Sequence, residues 1–395
     1  MDASAYPRSL LPPTNALALK GLILVTFLAA SAVPSPLYAL YRAAWGFSAL
    51  TLTVVFASYA IALLAALLVF GALSDYRGRR EVIALALVLE IGSLLIFREA
   101  TSVDWLLAAR VLQGVATGIA TTALSAGMVD LHRERGALVN SIAPMVGLGA
   151  GALGAALLVQ FAPQPMKLVF DLLLAIMAAE LVATAFLPET VQRRPGAWRS
   201  LRPRLALPAN VRAALVQVLP VNTAQWAVGG FYFSLGPSLA AGLAGSRAPL
   251  VGGTLIAVLS FTSATAIALA RKVPPPKALA AGAAALSFGA LLTLVGIHWV
   301  WPIAAIAGTM ITGAGFGTAF SGSVRTLVPL AAPHERAATM AAFFAASYLA
   351  FSLPAILAGL LTTHIGLHAT ALGYGMAAAL LAASTLLTRP SRPRT

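Results

Sequence analysis

FSALTLTVVFASYAIALLAALLVFGALSDYRGRR, residues 47–80, decides the fold. From Phe47 to Ala72 no residue is charged. At about 1.5 Å per residue such a run, wound as a helix, crosses the ~30 Å hydrocarbon layer of a bilayer. It ends in a loop that carries Arg77, Arg79 and Arg80. A helix-length apolar run that stops at a basic loop reads as a membrane span leaving lipid on the cytoplasmic side.

The pattern recurs along the whole chain. Apolar segments fall at 18–41, 47–72, 82–97, 103–128, 136–160, 166–187, 211–239, 248–270, 278–297, 299–323, 337–361 and 366–387. They are too long, and lack the strict alternation, for β-barrel strands. Composition agrees. Of 395 residues 59% are apolar and 10% charged, and the mean hydropathy is +0.89. A soluble domain is about a quarter charged, so a soluble enzyme is excluded. The expected fold is an all-α polytopic membrane protein of twelve transmembrane helices. The first run, preceded by Arg8 and Lys20, continues to Tyr41 without a small-residue cleavage site and is expected to remain as a span.

The net charge of +14 would suggest nucleic acid in a soluble protein. Here its distribution gives another cause. With the N-terminus in the cytoplasm, 21 of the 26 Lys and Arg fall on the cytoplasmic side. Arg42, Arg98, Lys167 and Arg247 fall outside, and Arg110 lies within a span. This asymmetry is the positive-inside pattern, and it places both termini on one side of a bacterial inner membrane. No basic and aromatic platform for nucleic acid is present. The basic loops have membrane lipids as their neighbours.

Residues 189–210 are Pro- and Arg-rich and read as a cytoplasmic linker between two six-helix bundles, 1–188 and 211–395. The halves share a faint repeat. Glu134 and Arg135 match Glu335 and Arg336, and Gly114 matches Gly315, at one common offset, while His132 and His334 precede the two loops. Two pseudo-symmetric bundles are the repeat logic of secondary transporters.

Three motifs carry the chemistry. In GALSDYRGRR, Gly71 admits close helix approach, Asp75 accepts from an arginine or a helix N-terminus, and Gly78 permits a tight turn. In RVLQGVATG, Arg110 and Gln113 share one face of an apolar helix, where an arginine is expensive and is functional or paired. In PMVGLGAGALG, Gly147, Gly151 and Gly154 are expected to line close helix faces.

These motifs resemble those of the major facilitator superfamily. Gly71, Asp75, Gly78, Arg79 and Arg80 fit its G-x-x-x-D-[RK]-x-G-R-[RK] signature, with Tyr76 where a basic residue is usual. The resemblance implies a charge relay that gates the conformational switch. Arg110, Gln113 and Gly114 fit its R-x-x-Q-G motif, linked to proton coupling or substrate binding. Gly147 and Gly151 keep the spacing of the antiporter signature, with Ala152 at its proline and Ala155 at a glycine, and Leu187–Thr190 reads LPET. The loop beginning RKVPPPK at Arg271 lacks the Asp and Gly of a second relay.

By the same resemblance Tyr38, Tyr59, Asn222, Gln225, Trp226 and Tyr348 line a central cavity. Asn222, Gln225 and Trp226 lie on one helix face. Glu90 and Glu180, mid-span acids, are the protonatable candidates, since a membrane-embedded carboxylate is costly unless neutral or paired. With no cysteine, and with His364 and His368, four apart, lacking acidic partners, no metal site and no cofactor is expected. The expectation is a monomeric, proton-coupled exporter of small amphipathic organic compounds. A specific permease for a sugar or another small metabolite is the alternative. A membrane acyltransferase is disfavoured, because the only His–acid pairs repeat as loop architecture.

Overall fold

The computed structural model describes residues 11–201, 209–243, 245, 249–332 and 335–387. Arg8, Arg247, His334 and most of 202–210 in the expected linker lie outside the described residues or their described side chains. The helices are α1 (Pro13–Ala32), α2 (Pro34–Trp45), α3 (Ala49–Phe70), α4 (Ser74–Arg77), α5 (Arg79–Arg98), α6 (Val103–Leu131), α7 (Arg133–Phe161) and α8 (Pro165–Thr184). Then follow α9 (Ala197–Ser200), α10 (Ala209–Ser234), α11 (Gly236–Leu243), α12 (Pro249–Ala270), α13 (Pro275–His298), α14 (Pro302–Leu327), α15 (Arg336–Ile365) and α16 (Leu367–Leu387). No strand occurs among the described residues.

Twelve crossings result when α1–α2 and α10–α11 are each taken as one interrupted span, and they coincide with the twelve apolar segments. Among the described residues, nine are long and apolar enough to cross a membrane by composition alone. The spans of α5, α8 and α10–α11 are the remainder. They hold Glu90, Glu180 and the Asn222–Gln225 pair, and all four side chains are buried inside the protein rather than turned to lipid. That is where a polar group in a bilayer must sit.

Local chemistry sets the breaks. Pro34 and Pro36 lack the N–H that would continue the ladder of α1, and the first span is interrupted at Val33. Gly46 adopts φ +67° and closes α2. Ser48 then caps α3, its Oγ accepting from Thr51 N at 3.0 Å.

The larger hydrophobic core is built mainly from α1–α8, and a second core from α10, α13, α14 and α15. The two meet where α7 packs on α12 and α3 packs on α15. Glycines permit the closest approaches. On α13, Gly282, Gly289 and Gly296 recur every seven residues, and on α14 Gly308, Gly315 and Gly322 do the same. Each faces the partner helix backbone, for example Gly322 against Leu279 and Gly315 against Leu286. Small residues at helix interfaces are the main route to tight packing where lipid removes the hydrophobic incentive.

Three sequence expectations are corrected. Gly154 faces open space, because a Cβ there meets nothing within 4 Å. Only Gly147 and Gly151 press on α1, against Leu28 and Ala29. Gly71 likewise touches no neighbouring helix closely, a Cβ there reaching no nearer than 4.0 Å to Thr122 Cγ2 of α6, while Gly114 and Gly118 of α6 make the close approach to α3. Lys20, counted with the basic loops, is fully buried, and its Nζ donates to Gly127 O at 3.0 Å near the end of α6. That carbonyl lies close to the last turn, where unpaired helix C=O groups attract a cation.

Candidate functional site

Arg110, 1% exposed, is the largest buried side chain of the first core. Its Nε and Nη2 donate to Tyr38 Oη at 2.8 and 2.6 Å. Its Nη1 donates to Ser31 O at 2.8 Å and to Gln113 Oε1 at 2.7 Å. The Ser31 carbonyl belongs to the turn loosened by Pro34 and Pro36, so the break in the first span supplies an acceptor for the guanidinium. Gln113 Nε2 in turn donates to Glu90 Oε1 at 2.9 Å. Arg110, Gln113 and Glu90 are therefore one hydrogen-bonded chain across α6 and α5, and Glu90 Oε2 has no partner among the described residues. Glu180 is separate: its Oε1 accepts from Thr26 Oγ1 at 2.7 Å, between α8 and α1.

Aromatic rings extend this chain to the other half. The Arg110 guanidinium lies over the rings of Tyr38, Tyr59 and Phe97 at 5.5, 5.3 and 5.9 Å, within cation–π reach. Tyr59 packs in one cluster with Tyr348 and Phe351 of α15. Trp226 of α10 stands 5.0 Å from Tyr348, 5.7 Å from Phe351 and 6.1 Å from Phe316. Beside it Asn222 Nδ2 donates to Ser347 Oγ at 3.0 Å, and Gln225 Nε2 donates to Asn222 Oδ1 at 3.1 Å. Gln225 Oε1 and Trp226 Nε1 are buried without a partner among the described residues. The structure thus gathers all six expected cavity residues along one path. Ser31, Phe97, Phe316, Ser347 and Phe351 join it, and no sequence spacing marked them, since they come from remote helices.

At the basic end the GALSDYRGRR loop forms a second polar cluster. Arg79 Nη1 pairs with Asp75 Oδ1 at 2.6 Å and donates to Ser74 Oγ at 2.6 Å, and its Nε pairs with Asp130 Oδ2 at 3.1 Å. Gly78 holds φ +101°, which disfavours a side chain, and a Cβ there would meet the Glu189 carboxylate. Glu189 occupies that space, accepting from Arg79 N at 2.8 Å and Arg80 N at 3.1 Å. A carboxylate on the first N–H groups of α5 satisfies donors that a helix leaves free and matches its dipole. Arg80 itself reaches Ala185 O at 3.2 Å. The chain after α8 continues the clasp. Arg194 N donates to Tyr76 O at 3.0 Å, its Nε donates to Asp75 O at 3.1 Å, and its guanidinium lies 5.4 Å over the Tyr76 ring. Tyr76, the departure from the basic residue usual in the motif, is what Arg194 stacks on. Asp130 and Glu189 were not singled out from sequence, although LPET contains the latter. Asp171, near the start of α8, pairs with Arg98 of α5.

A profile of the Major Facilitator Superfamily matches residues 21–313. No curated protein matches the sequence. Among solved structures, the xylose transporter XylE from E. coli, in a partially occluded inward-open conformation, superposes with a TM-score of 0.74 at 16% identity, over 96% of this chain and 98% of that one. The nucleoside transporter NupG gives 0.71 at 13% identity, over 94% and 99%. The human organic anion transporter MFSD10 (TETRAN) gives 0.67 at 20% identity, over 95% and 100%. These likenesses establish a fold of twelve helices in two bundles. With its profile match spanning more than half of the sequence, the chain belongs to the Major Facilitator Superfamily.

Proposed function

We propose that this transporter-family protein is a proton-coupled secondary transporter that exports small amphipathic organic compounds by alternating access. The observation that carries the reading is the continuous buried path from Glu90 through Gln113, Arg110, Tyr59 and Tyr348 to Trp226 and the Asn222–Gln225 pair. It joins an acid, a fixed cation and an aromatic–amide surface contributed by both halves. A carboxylate that gains or loses a proton changes the balance of charge around Arg110, and Tyr59, packed on Tyr348, links that change to the cargo surface. Rings with few hydrogen-bonding groups suit a ligand that is part apolar and part polar. The spacing of Gly147 and Gly151 supports export, and the asymmetry of basic residues supports both termini on the cytoplasmic side of a bacterial inner membrane. The Asp75–Arg79–Asp130 cluster is assigned the gating of the switch.

One feature favours the second reading, a permease for a sugar or similar metabolite. Gln225 Oε1 and Trp226 Nε1 have no partner among the described residues and suit a cargo rich in hydroxyl groups.

The test is transport in proteoliposomes under an imposed pH gradient, with lipophilic cations, neutral amphiphiles and monosaccharides as cargo. Proton-driven movement of the amphiphiles, lost in Arg110→Ala, supports export. Movement of monosaccharides alone supports the permease, and movement of none sinks both.

A further inference from the structure

A cavity of about 450 Å³ lies mainly in the second half of the molecule, ringed by α10–α14 and α16 and bordered by Gln160 at the end of α7. Its volume falls in the range of small-molecule sites. It is not the path just described, since Arg110, Glu90, Tyr59, Asn222, Gln225 and Trp226 do not border it. Val228, Phe231, Leu255, Val258 and Leu294 supply much of its wall, and no Asp, Glu, Lys or Arg lines it. A charged ligand would lose its hydration there and find no counter-charge. Water finds few partners in such a space, and apolar cavities of this kind stay dry and take up apolar guests.

Six polar side chains, Gln160, Tyr232, Thr254, Thr293, Thr312 and Tyr374, interrupt a wall that is otherwise apolar. Tyr232 lines the cavity and shares a 2.9 Å hydrogen bond with Thr309 Oγ1. Thr312, fully buried, also lines it, and its hydroxyl has no hydrogen-bond partner among the described residues. A buried hydroxyl left unmatched is destabilising; this one has no accessible surface where it stands against Gly289, and rotation about χ1 would turn it to a ligand with one polar group.

One side of the wall reaches the surface of the protein. Leu250 and Val251 at the start of α12 and Pro302 and Ile306 at the start of α14 form one side of the cavity, and Ile306 is 45% exposed. The turn between α13 and α14 carries Trp299 and Trp301, 67% and 54% exposed. Indoles settle at the headgroup level, which puts the opening just beneath the membrane surface. We infer that this cavity is a second binding site, entered from the lipid phase, for an uncharged lipophilic molecule with a single hydroxyl, ether or carbonyl group. The site stands whether or not the transport reading holds.

Photolabelling of the full chain in phosphatidylcholine nanodiscs tests it, with a diazirine-bearing hexadecanol as probe. Adducts are expected on the cavity-lining peptides of α12, α13 and α14. Ala290→Phe, which fills the space, is expected to lower their yield at least tenfold, and Val251→Trp at the opening serves if that variant does not fold. Thr312→Val, of nearly the same shape, is expected to lower it roughly three- to tenfold by removing one hydrogen bond. Leu380→Phe on the lipid-facing surface should change nothing. A second preparation carries the diazirine on the phospholipid chain instead. Labelling there assigns a lipid tail as occupant, and labelling by the free alcohol alone assigns a molecule dissolved in the bilayer. Adducts spread evenly over the lipid-facing helices, or insensitive to both Ala290→Phe and Val251→Trp, overturn the proposal.

Discussion

Arg110 binds three acceptors at once, the Tyr38 hydroxyl, the Ser31 carbonyl and the Gln113 amide oxygen. A planar fork reaches all of them, whereas a lysine ammonium on its flexible stem does not reproduce that geometry. Arg110→Lys is therefore expected to lose transport at least tenfold in proteoliposomes although the charge is kept, and equal rates would reduce Arg110 to a charge carrier. Tyr38→Phe strips two charge-assisted hydrogen bonds from the guanidinium, at about 1.5–3 kcal/mol each. A clear drop in the thermal unfolding midpoint checks it. The two acids separate by similar reasoning. Glu90→Gln keeps an acceptor for Gln113 and Glu180→Gln keeps one for Thr26, so both variants should fold. Only Glu90 is wired to Arg110, so only Glu90→Gln is expected to abolish proton-driven accumulation while downhill movement continues. Accumulation that survives Glu90→Gln and fails in Glu180→Gln would transfer the role.

Helix packing decides which glycines matter. Gly151 presses on the backbone of Ala29, while Gly154, three residues on, meets nothing. Gly151→Val is expected to destabilise by about 1–3 kcal/mol or more through overpacking. Gly154→Ala is expected to be neutral or to stabilise by up to ~1 kcal/mol, because alanine favours the helix. Thermal melts of the two variants in detergent compare them directly, and equal destabilisation would contradict the packing of α7 on α1. The heptad spacing of Gly282, Gly289 and Gly296 opposite Gly308, Gly315 and Gly322 was present in the sequence as a repeat. Its meaning depended on α13 and α14 being antiparallel neighbours with those faces together, and a repeat within one helix does not name its partner.

Across the whole molecule, the chain that follows α8 is tied back onto the α3–α5 loop. Glu189 caps α5, Arg194 stacks on Tyr76, and Thr190 Oγ1 donates to Asp130 Oδ2 at 2.8 Å. The exposed Arg193–Glu81 pair beside them adds at most about 1 kcal/mol. Glu189→Ala removes the anion on which Arg79 N and Arg80 N converge, so trypsin is expected to cut after Arg193 several-fold faster, while Glu81→Ala leaves that rate nearly unchanged. Cleavage rates followed by mass spectrometry check both, and an unchanged rate in Glu189→Ala would show that the clasp does not hold this segment.

The number of spans and the signature loop were legible in the sequence because each rests on local chemistry. A run of apolar residues must lie in lipid as a helix, since hydrocarbon offers its backbone no other partner, and a Gly at φ +101° or an arginine in an apolar helix is conspicuous wherever it falls. The six residues expected to line a central cavity were chosen by their place in the family pattern; the structure packs them along one buried path, and the cavity it contains is lined by none of them. What only the tertiary structure decided was partnership. Ser347 with Asn222, Glu189 with the start of α5, Lys20 with the end of α6 and the cavity beside Thr312 all join residues far apart in the chain. The sequence marks a polar residue as costly in a membrane, but which distant helix relieves that cost depends on how the twelve helices pack.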